Sequence, residues 1–310
     1  MNASGRSIRR NLRWAVPAAF VIAIVVCAVA APLVAPDDPL KLDILQRFSG
    51  PTWQHLLGTD QFGRDLLSRI MYGARASIEV AIGSAVLATV VGVTLGMLGG
   101  YFGRYTEVLT VRVVDIIVAF PPIVLALLIV TLFGPGVVTL IYVIALVYVP
   151  VFARITYGAV LEVRTREYVG AARALGMSAA RIMFRTILPN VTAPIIVQFS
   201  LTVSAAILLE SGLSFLGLGV VPPTPSWGGM IADARTYMQQ DAIMLLWPCL
   251  VLVVTILAIN SLSDVLRDRL DPRVWAQMSG GSSIEELEAG AEPAVTTLAR
   301  DLTGVMHEQH

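Results

Sequence analysis

The sequence predicts an all-α membrane protein that crosses the bilayer with six transmembrane helices. Of its 310 residues, 56% are hydrophobic and 14% are charged, whereas soluble domains are roughly one quarter charged. The mean hydropathy is +0.74, and the apolar residues cluster into runs of about 20, which is the length that crosses a bilayer core as a helix. Because lipid offers no partner for an open backbone, each run must be helical.

Six spans follow from the positions of these runs. They cover residues 14–34, 77–98, 111–133, 138–157, 193–216 and 242–262. The first run follows four arginines and ends in AVAAP, which resembles a signal-peptide cleavage site. Its apolar stretch exceeds the roughly 7–15 residues of a signal h-region, so we interpret it as an uncleaved membrane anchor.

The distribution of basic residues predicts the orientation of the spans. With the N-terminus in the cytoplasm, the inner segments hold sixteen of the 22 lysines and arginines, and the outer segments hold six. Five of those six lie in one long loop, where the preference of basic residues for the inner side is weakest. The sequence therefore predicts that both termini are cytoplasmic.

This topology divides the chain into four regions. They are 1–35 with the cytoplasmic N-terminus and anchor helix, 36–74 with an extracytoplasmic loop and an amphipathic helix, 75–265 with the transmembrane core and its cytoplasmic loop 160–190, and 266–310 with a cytoplasmic tail. Few apolar residues follow position 273, so the end of the tail is expected to be disordered.

The outer loops are expected to carry two surface features. Thr59 or Asp60 can cap a short amphipathic helix, which would lie along the outer membrane surface. Its apolar residues are Phe62, Leu66, Leu67 and Ile70. The second outer loop, residues 217–240, is rich in proline and glycine, and its Trp227 is expected to anchor it at the membrane interface.

The cytoplasmic loop between the fourth and fifth spans carries the most informative motif, EYVGAARALGMSAARIMFRTILP at 167–189. Residues 168–175 have a helix-forming composition, and Gly176 is expected to end that helix. Ser178 can cap a second helix that runs to about Leu188. The glycine and alanines leave a slim surface that fits closely into a groove. The same composition is also typical of an ordinary basic loop on the cytoplasmic side.

The spacing of this loop resembles the EAA loop of the membrane subunits of ABC importers, in which Glu-Ala-Ala precedes a Gly and a Leu-Pro pair at fixed distances. Here the matching residues are Ala171, Ala172, Gly176, Leu188 and Pro189. Gly170 stands where that family usually has Glu, and Thr186 stands at its Ile position. The resemblance implies a coupling helix that docks on an ATPase through Glu167, Tyr168, Gly170, Ala171, Ala172, Arg173, Gly176 and Pro189.

Three further segments resemble the C-type permease subunit of dipeptide, oligopeptide and nickel importers. They are LGTDQFGRDLLSRIMYGARAS at 57–77, ESGLSFLGLGVVPPTPSWGGMIADAR at 210–235 and LSDVLRDRLDPR at 262–273. The matches follow the family's order, and the resemblance as a whole extends over nearly all of residues 10–273. The resemblance implies the type I ABC importer transmembrane fold in the inner (plasma) membrane.

Such a subunit would work with several partners. The family combines it with a homologous B-type permease, two cytoplasmic ABC ATPases and an extracytoplasmic solute-binding protein. ATP and Mg would bind to the ATPases, and no cofactor would bind to this chain. The resemblance favours di- and oligopeptides as the substrate, with nickel or another small solute as the alternative.

The residues themselves argue against other functional classes. The chain has no Gly-x-x-x-x-Gly-Lys-Ser/Thr loop for ATP. Cys27 and Cys249 lie in apolar runs and are interpreted as inert small hydrophobes. No metal-ligand cluster or catalytic constellation is visible in the spans, so a transport subunit without catalytic or metal residues is expected. A gradient-driven secondary transporter would need inverted halves with matching carboxylates, and an intramembrane enzyme would need convergent catalytic groups; neither pattern is visible.

Ionisable and polar residues within the spans are costly in lipid and are therefore candidates for function. Asp115 follows Arg112 by three residues, which favours a structural ion pair on one helix over a substrate contact. Glu210 has no basic residue within a turn. It is expected either to face the translocation path, where it would meet a peptide amine or a metal ion, or to bond to the partner subunit. Asn260 is expected to make an interhelical hydrogen bond.

Two sequence patterns concern the shape of the helices. The Phe-Pro-Pro sequence at 120–122 interrupts the third span and predicts a bend, which would be either a hinge or a static kink. Gly92, Gly96 and Gly100 follow each other at four-residue spacing on the second span. They predict close packing against another helix, either of this chain or of its partner.

Overall fold

The computed structural model describes residues 3–270, with side chains from residue 15 onward apart from that of Arg104. Its regular secondary structure is helical, as predicted, and this range contains no β-strand. The helices are α1 Ala3–Val34, α2 Leu66–Phe102, α3 Arg104–Val118, α4 Pro122–Phe133, α5 Val137–Val163, α6 Glu167–Ala174, α7 Ala179–Ile182, α8 Leu188–Phe215, α9 Trp227–Thr236 and α10 Ile243–Leu270. One compact unit ends at Leu266, and beyond it the structure describes only the end of α10. The tail predicted to be disordered lies outside the described residues.

Helices occupy all six predicted apolar runs. Among the described residues, the segments long and apolar enough to cross a membrane are Ala15–Val34, Leu66–Phe102, Val137–Val163, Ala179–Phe215 and Ile243–Leu270. The run at 111–133 is not one helix, because α3 and α4 meet at 85° across a break at 119–121. Proline lacks the N–H that would continue the helix, so the bend predicted at the Phe-Pro-Pro sequence is confirmed as a complete break.

Close packing of α2 against α5 forms the centre of the bundle. A Cβ placed on Gly92 would lie 2.5 Å from the Cβ of Phe152, and one placed on Gly96 would lie 2.5 Å from the carbonyl oxygen of Ala153. Neither separation leaves room for a side chain, so the two backbones approach each other directly. The packing predicted from the glycine spacing is therefore confirmed, and the helix that it meets belongs to this chain.

The contacts also establish the relative directions of α2, α5 and α8. The residues of α5 that contact Gly96 lie further along the sequence than those that contact Gly92, so α2 and α5 run parallel. In contrast, Glu210 near the C-terminus of α8 contacts Ser77 near the N-terminus of α2, so α8 runs the opposite way. Residues 35–65, which precede α2, therefore lie at one end of the bundle, here called the loop end. The opposite end carries α6 and is called the α6 end.

The segment before α2 corrects the predicted helix cap. Neither Thr59 nor Asp60 caps a helix: the Thr59 hydroxyl donates to the carbonyl of Gln46, and the Asp60 carboxylate accepts from the N–H groups of the turn that follows it. The helix begins at Leu66, where the Asp65 carboxylate accepts from the N–H of the third residue beyond it. From there it continues as α2 without a break, so Leu66, Leu67 and Ile70 of the predicted amphipathic helix lie in the first turns of α2, and Phe62 lies in the turn before it.

The sequence suggested that Trp227 anchors the second outer loop at the membrane interface, and the structure shows that it does not. Its side chain is fully buried, and its indole N–H donates to the carbonyl oxygen of Ile70 over 3.1 Å. Ser226 caps α9 at this point by accepting from the N–H of Gly229. The proline-rich loop thus folds back onto α2, and the tryptophan fixes α9 to it.

Candidate functional site

The short helix α6 is the predicted coupling segment, and the structure confirms its helical form. It begins at Glu167 and ends at Ala174, within one residue of the predicted bounds. Gly176 adopts φ +74°, a left-handed conformation that favours glycine at the end of a helix. The N–H of Met177 then donates to the carbonyl of Ala172, which satisfies one of the free carbonyl groups of the last turn.

Only one face of α6 is available to a partner. Val169 and Ala172 are buried among side chains of α2, α5 and the segment after α6. Ala172 was expected to belong to the docking surface, and the structure instead places it in the chain's own core. The other predicted coupling residues are exposed, namely Glu167, Tyr168, Gly170, Ala171, Arg173, Gly176 and Pro189. Leu175, which the sequence analysis did not single out, is 83% exposed beside them.

The exposed face is slim and apolar at its centre. A Cβ placed on Gly170 would meet nothing within 4 Å, so the glycine leaves open space where most residues would present a side chain. Together with Ala171, Ala174 and Leu175 it forms what we call the docking face. Small residues around one exposed leucine suit a partner groove that encloses the helix closely, because an apolar anchor in a pocket supplies much of the energy of an interface.

Two contacts connect α6 to the end of α2. The guanidinium carbon of Arg173 lies 5.2 Å from the centre of the Tyr101 ring, which is within the range of a cation–π contact. The Arg164 side chain, in the turn before α6, donates to the carbonyl oxygen of Gly100 over 2.7 Å. These contacts attach α6 and the turn before it to α2, the helix at the centre of the bundle.

A second connection runs forward along the chain into α8. The side chain of Ser178 caps α7, as predicted. The helix does not end near Leu188, however. It passes through a π-helical turn at Met183–Ile187 and continues as α8. The chain after α6 thus forms one continuous helical segment of 37 residues, Ala179–Phe215.

The carboxylate of Glu210 lies inside the chain, away from α6. It is fully buried between α2 and α8 and accepts hydrogen bonds from Ser77 (3.0 Å), Ser211 (3.3 Å) and Ser214 (2.7 Å). Its neighbours explain why no basic residue is needed nearby, since three hydroxyl donors occupy its oxygens. Burial among this chain's own helices favours a structural role over contact with a passing substrate, and the path-facing role remains a prediction.

Two other polar residues are explained by contacts across the fold. Asp115 does not pair with Arg112: its Oδ1 lies 3.1 Å from Nη2 of Arg154 on α5. The predicted pair on one helix was wrong because α3 packs against α5, which brings Arg154 within reach of Asp115. Asn260 behaves as expected, because its side-chain oxygen accepts from the Ser204 hydroxyl on a different helix over 2.6 Å.

Comparison with known protein families identifies the family to which this arrangement of helices belongs. The family model described as the binding-protein-dependent transport system inner membrane component matches residues 92–276, more than half of the chain. The chain belongs to this family. The matched region contains the docking face, the π-helical turn and the whole of α8, so the exposed helix is part of the family's own domain.

Curated relatives extend the similarity of this inner membrane component beyond the family domain. The di/tripeptide transport system permease protein DppC of Pseudomonas aeruginosa is 42% identical over 261 residues, which are 82% of this chain and 86% of that protein. The dipeptide transport system permease protein DppC of Alkalihalophilus pseudofirmus is 39% identical over 269 residues, covering 87% of this chain and 88% of the relative.

Solved structures support the fold of the inner membrane component. An inward-facing structure of the MetNI methionine ABC transporter superposes with a TM-score of 0.53 at 18% identity, covering 64% of this chain and 94% of that chain. A second inward-facing structure of the same transporter gives a TM-score of 0.52 and covers 66% and 98% of the two chains. The type I ABC importer transmembrane fold expected from the sequence is therefore confirmed.

Tyr101 provides a test of the connection between α6 and α2. Replacing it by leucine removes the ring beneath Arg173 and is expected to lower the transport rate of the assembled system about two- to fivefold, because an exposed cation–π contact contributes about 0.5–1 kcal/mol. Tyr101→Phe retains the ring and should transport normally. Equal rates for both variants, measured by uptake into proteoliposomes, would show that the contact carries no coupling.

Glu210 can be tested separately, because its two candidate roles predict different results. Glu210→Ala leaves three buried hydroxyl groups without their acceptor, and each such group costs about 1–3 kcal/mol. We therefore expect a large fall in the thermal unfolding midpoint in detergent. Glu210→Gln keeps an acceptor oxygen, so its thermal unfolding midpoint should fall much less. A variant that remains as stable as the wild type but fails to transport would instead place Glu210 on the translocation path.

Proposed function

We propose that this chain is one of the membrane-spanning subunits of an ATP-driven importer for di- and oligopeptides. The relatives named above are permease proteins of di/tripeptide and dipeptide transport systems. Their similarity covers more than four fifths of this chain, and this supports the same substrate class. The chain itself lacks a phosphate-binding Gly-Lys-Ser/Thr loop, so the energy of ATP would have to come from other subunits.

The observation that carries this proposal is the docking face of α6. A helix that exposes Leu175 and three small residues at the end of a membrane bundle leaves apolar surface uncovered, and such surface marks an interaction site. The proposed occupant is the groove of an ABC ATPase, which would bind ATP and Mg. Two ATPases, a homologous B-type permease and an extracytoplasmic solute-binding protein complete the proposed assembly.

The proposed orientation places α6 in the cytoplasm, with both termini of the chain on the same side of the inner membrane. The excess of basic residues in the predicted inner segments supports this choice. The path of the chain agrees with it, because α1 leads into the loop end through Val34. At the loop end, α10 begins with Met244 packed among residues of α2 and α9.

The proposed mechanism is alternating access without covalent chemistry in this chain. ATP binding would draw the two ATPases together and move the docked α6. The motion would pass to α2 through Tyr101 and Gly100, and to α8 through the continuous helix after Ser178. The two permeases would then rock against each other and expose the path to the binding protein. Hydrolysis would restore the inward-facing state.

Purification of the tagged subunit in mild detergent tests the proposal. We expect a second permease and an ATPase with a phosphate-binding loop to be recovered with it, as identified by mass spectrometry. Proteoliposomes that contain this complex and a co-purified binding protein should import a radiolabelled dipeptide only with ATP. If the chain is recovered alone and transports along an ion gradient without ATP, the proposed function is wrong.

A further inference from the structure

A cavity of about 320 Å³ lies where the break between α3 and α4 faces the middle of α5. Its walls are mainly apolar and include the residues Ile117, Phe120, Pro122, Tyr148, Val151 and Arg154. The volume is at the lower end of the range for small-molecule sites, about 300–1,000 Å³. It is large enough for an amino-acid side chain together with the backbone atoms of that residue.

The irregular backbone beside this cavity indicates that the cavity faces water or protein. Residues 119–121 are not helical, although they lie within an apolar run that is long enough to span the membrane. Irregular backbone at membrane depth is tolerated only where it is buried in protein or lines a water-filled cavity. Phe120 is nevertheless exposed on the surface of this chain, so the break is not covered by the chain's own helices.

The ion pair at the edge of the cavity is independent evidence that the cavity faces water or protein. Arg154 and Asp115 are joined by one contact of 3.1 Å, and their side chains remain 58% and 50% exposed. Asp115 and Arg154 lie in the inner halves of the predicted spans 111–133 and 138–157, where ionised side chains face the interior of the bundle or water. Within the described part of the chain, the other N–H donors of Arg154 have no partner. They are therefore available to an acceptor that enters the cavity.

We propose that this cavity is a binding site for a short peptide on the translocation path, in which Arg154 binds the C-terminal carboxylate and the apolar walls hold the adjoining side chain. The proposal rests on the peptide-importer function proposed above. The planar guanidinium group suits a carboxylate because it can donate two parallel hydrogen bonds. Asp115 acts as a positioning residue that holds the guanidinium at the edge of the cavity.

Protection of an introduced cysteine tests the occupant directly. Val151→Cys would be made in a chain whose free cysteines, Cys27 and Cys249, are replaced by alanine. In the purified complex, without ATP or binding protein, a charged methanethiosulfonate reagent should modify this cysteine. Millimolar alanyl-phenylalanine should slow the modification at least fivefold, whereas its C-terminal amide should not. Leu132→Cys, at an exposed apolar position of α4 that does not line the cavity, is the control and should be unaffected by either peptide.

Three outcomes overturn the inference. A Val151→Cys that the reagent cannot reach would mean that the partner permease or lipid covers the cavity. Equal modification with and without the peptide would mean that no peptide binds there, and equal protection by the amide would exclude recognition of the carboxylate. ATP-dependent dipeptide uptake by the same wild-type complex tests the proposed function separately, because that uptake can be present even when protection fails.

Variants of the ion pair separate ligand binding from a structural role. Arg154→Gln should abolish the protection, and Arg154→Lys should retain part of it because the positive charge remains. The exchanged pair D115R with R154D can rebuild the salt bridge but presents a carboxylate where the guanidinium was. We expect this double variant to assemble normally and to lose the protection. Full protection in the double variant would overturn the role of Arg154.

Discussion

Leu175→Asp is expected to uncouple this subunit from its ATPase. The leucine belongs to the docking face and is 83% exposed, so the substitution does not disturb the chain's own core. A buried charge in the proposed groove should weaken docking by about 2 kcal/mol or more, which corresponds to a roughly thirtyfold loss of affinity. Uptake of dipeptide should fall by at least tenfold, and less ATPase should be recovered with the tagged subunit.

Leu45→Asp is the matched control for this variant. Leu45 is 98% exposed, carries the same side chain and lies at the loop end, far from α6. The control should leave ATPase recovery unchanged. Ala172→Asp is not an equivalent test, because Ala172 is buried and the variant would damage the fold. Normal ATPase recovery and uptake with Leu175→Asp would show that α6 does not dock through this face.

Gly96→Ala is expected to destabilise the membrane core. The added methyl group would lie 2.5 Å from the carbonyl oxygen of Ala153 and 2.7 Å from the Cβ of Thr156. Neither atom can move without separating α2 from α5, and overpacking of this kind costs about 1–3 kcal/mol. The thermal unfolding midpoint of the purified complex should fall, and less of the complex should be recovered from membranes.

Gly158→Ala provides the control on the facing helix. Gly158 lies in the interior of α5, and a Cβ placed there would meet nothing within 4 Å. Alanine should therefore stabilise the helix by about 0.5–1 kcal/mol through its higher helix propensity. If Gly96→Ala proved as stable as Gly158→Ala, the close approach of α2 and α5 would not contribute to stability.

Local patterns were sufficient to predict much of the α6 segment. The C-terminal end of α6 depends on Gly176, which favours the left-handed conformation. The start of the next helix, α7, depends on Ser178 as its cap. Both preferences act over a few neighbouring residues. The buried side of α6 was not predictable in the same way. Alanine is common on both exposed and buried helix faces, so the different environments of Ala171 and Ala172 depend on where α2 and α5 lie.

The membrane spans and their helical form were determined by the sequence itself, because every long apolar run must satisfy its own backbone in lipid. The close packing of α2 was also visible, since glycines at four-residue spacing remove the side chains from one helix face. The break in the third span followed from its two prolines, which cannot donate to a preceding turn.

Only the tertiary structure decided which distant residues meet. Trp227 donates to Ile70, Glu210 accepts from Ser77, and Asp115 pairs with Arg154 rather than with its sequence neighbour. For Asp115 the sequence favoured a partner three positions away on the same helix, and for Trp227 it favoured the membrane interface, where tryptophan is common. The partners of these polar groups are set by the directions and crossings of whole helices, which depend on all the helix contacts together.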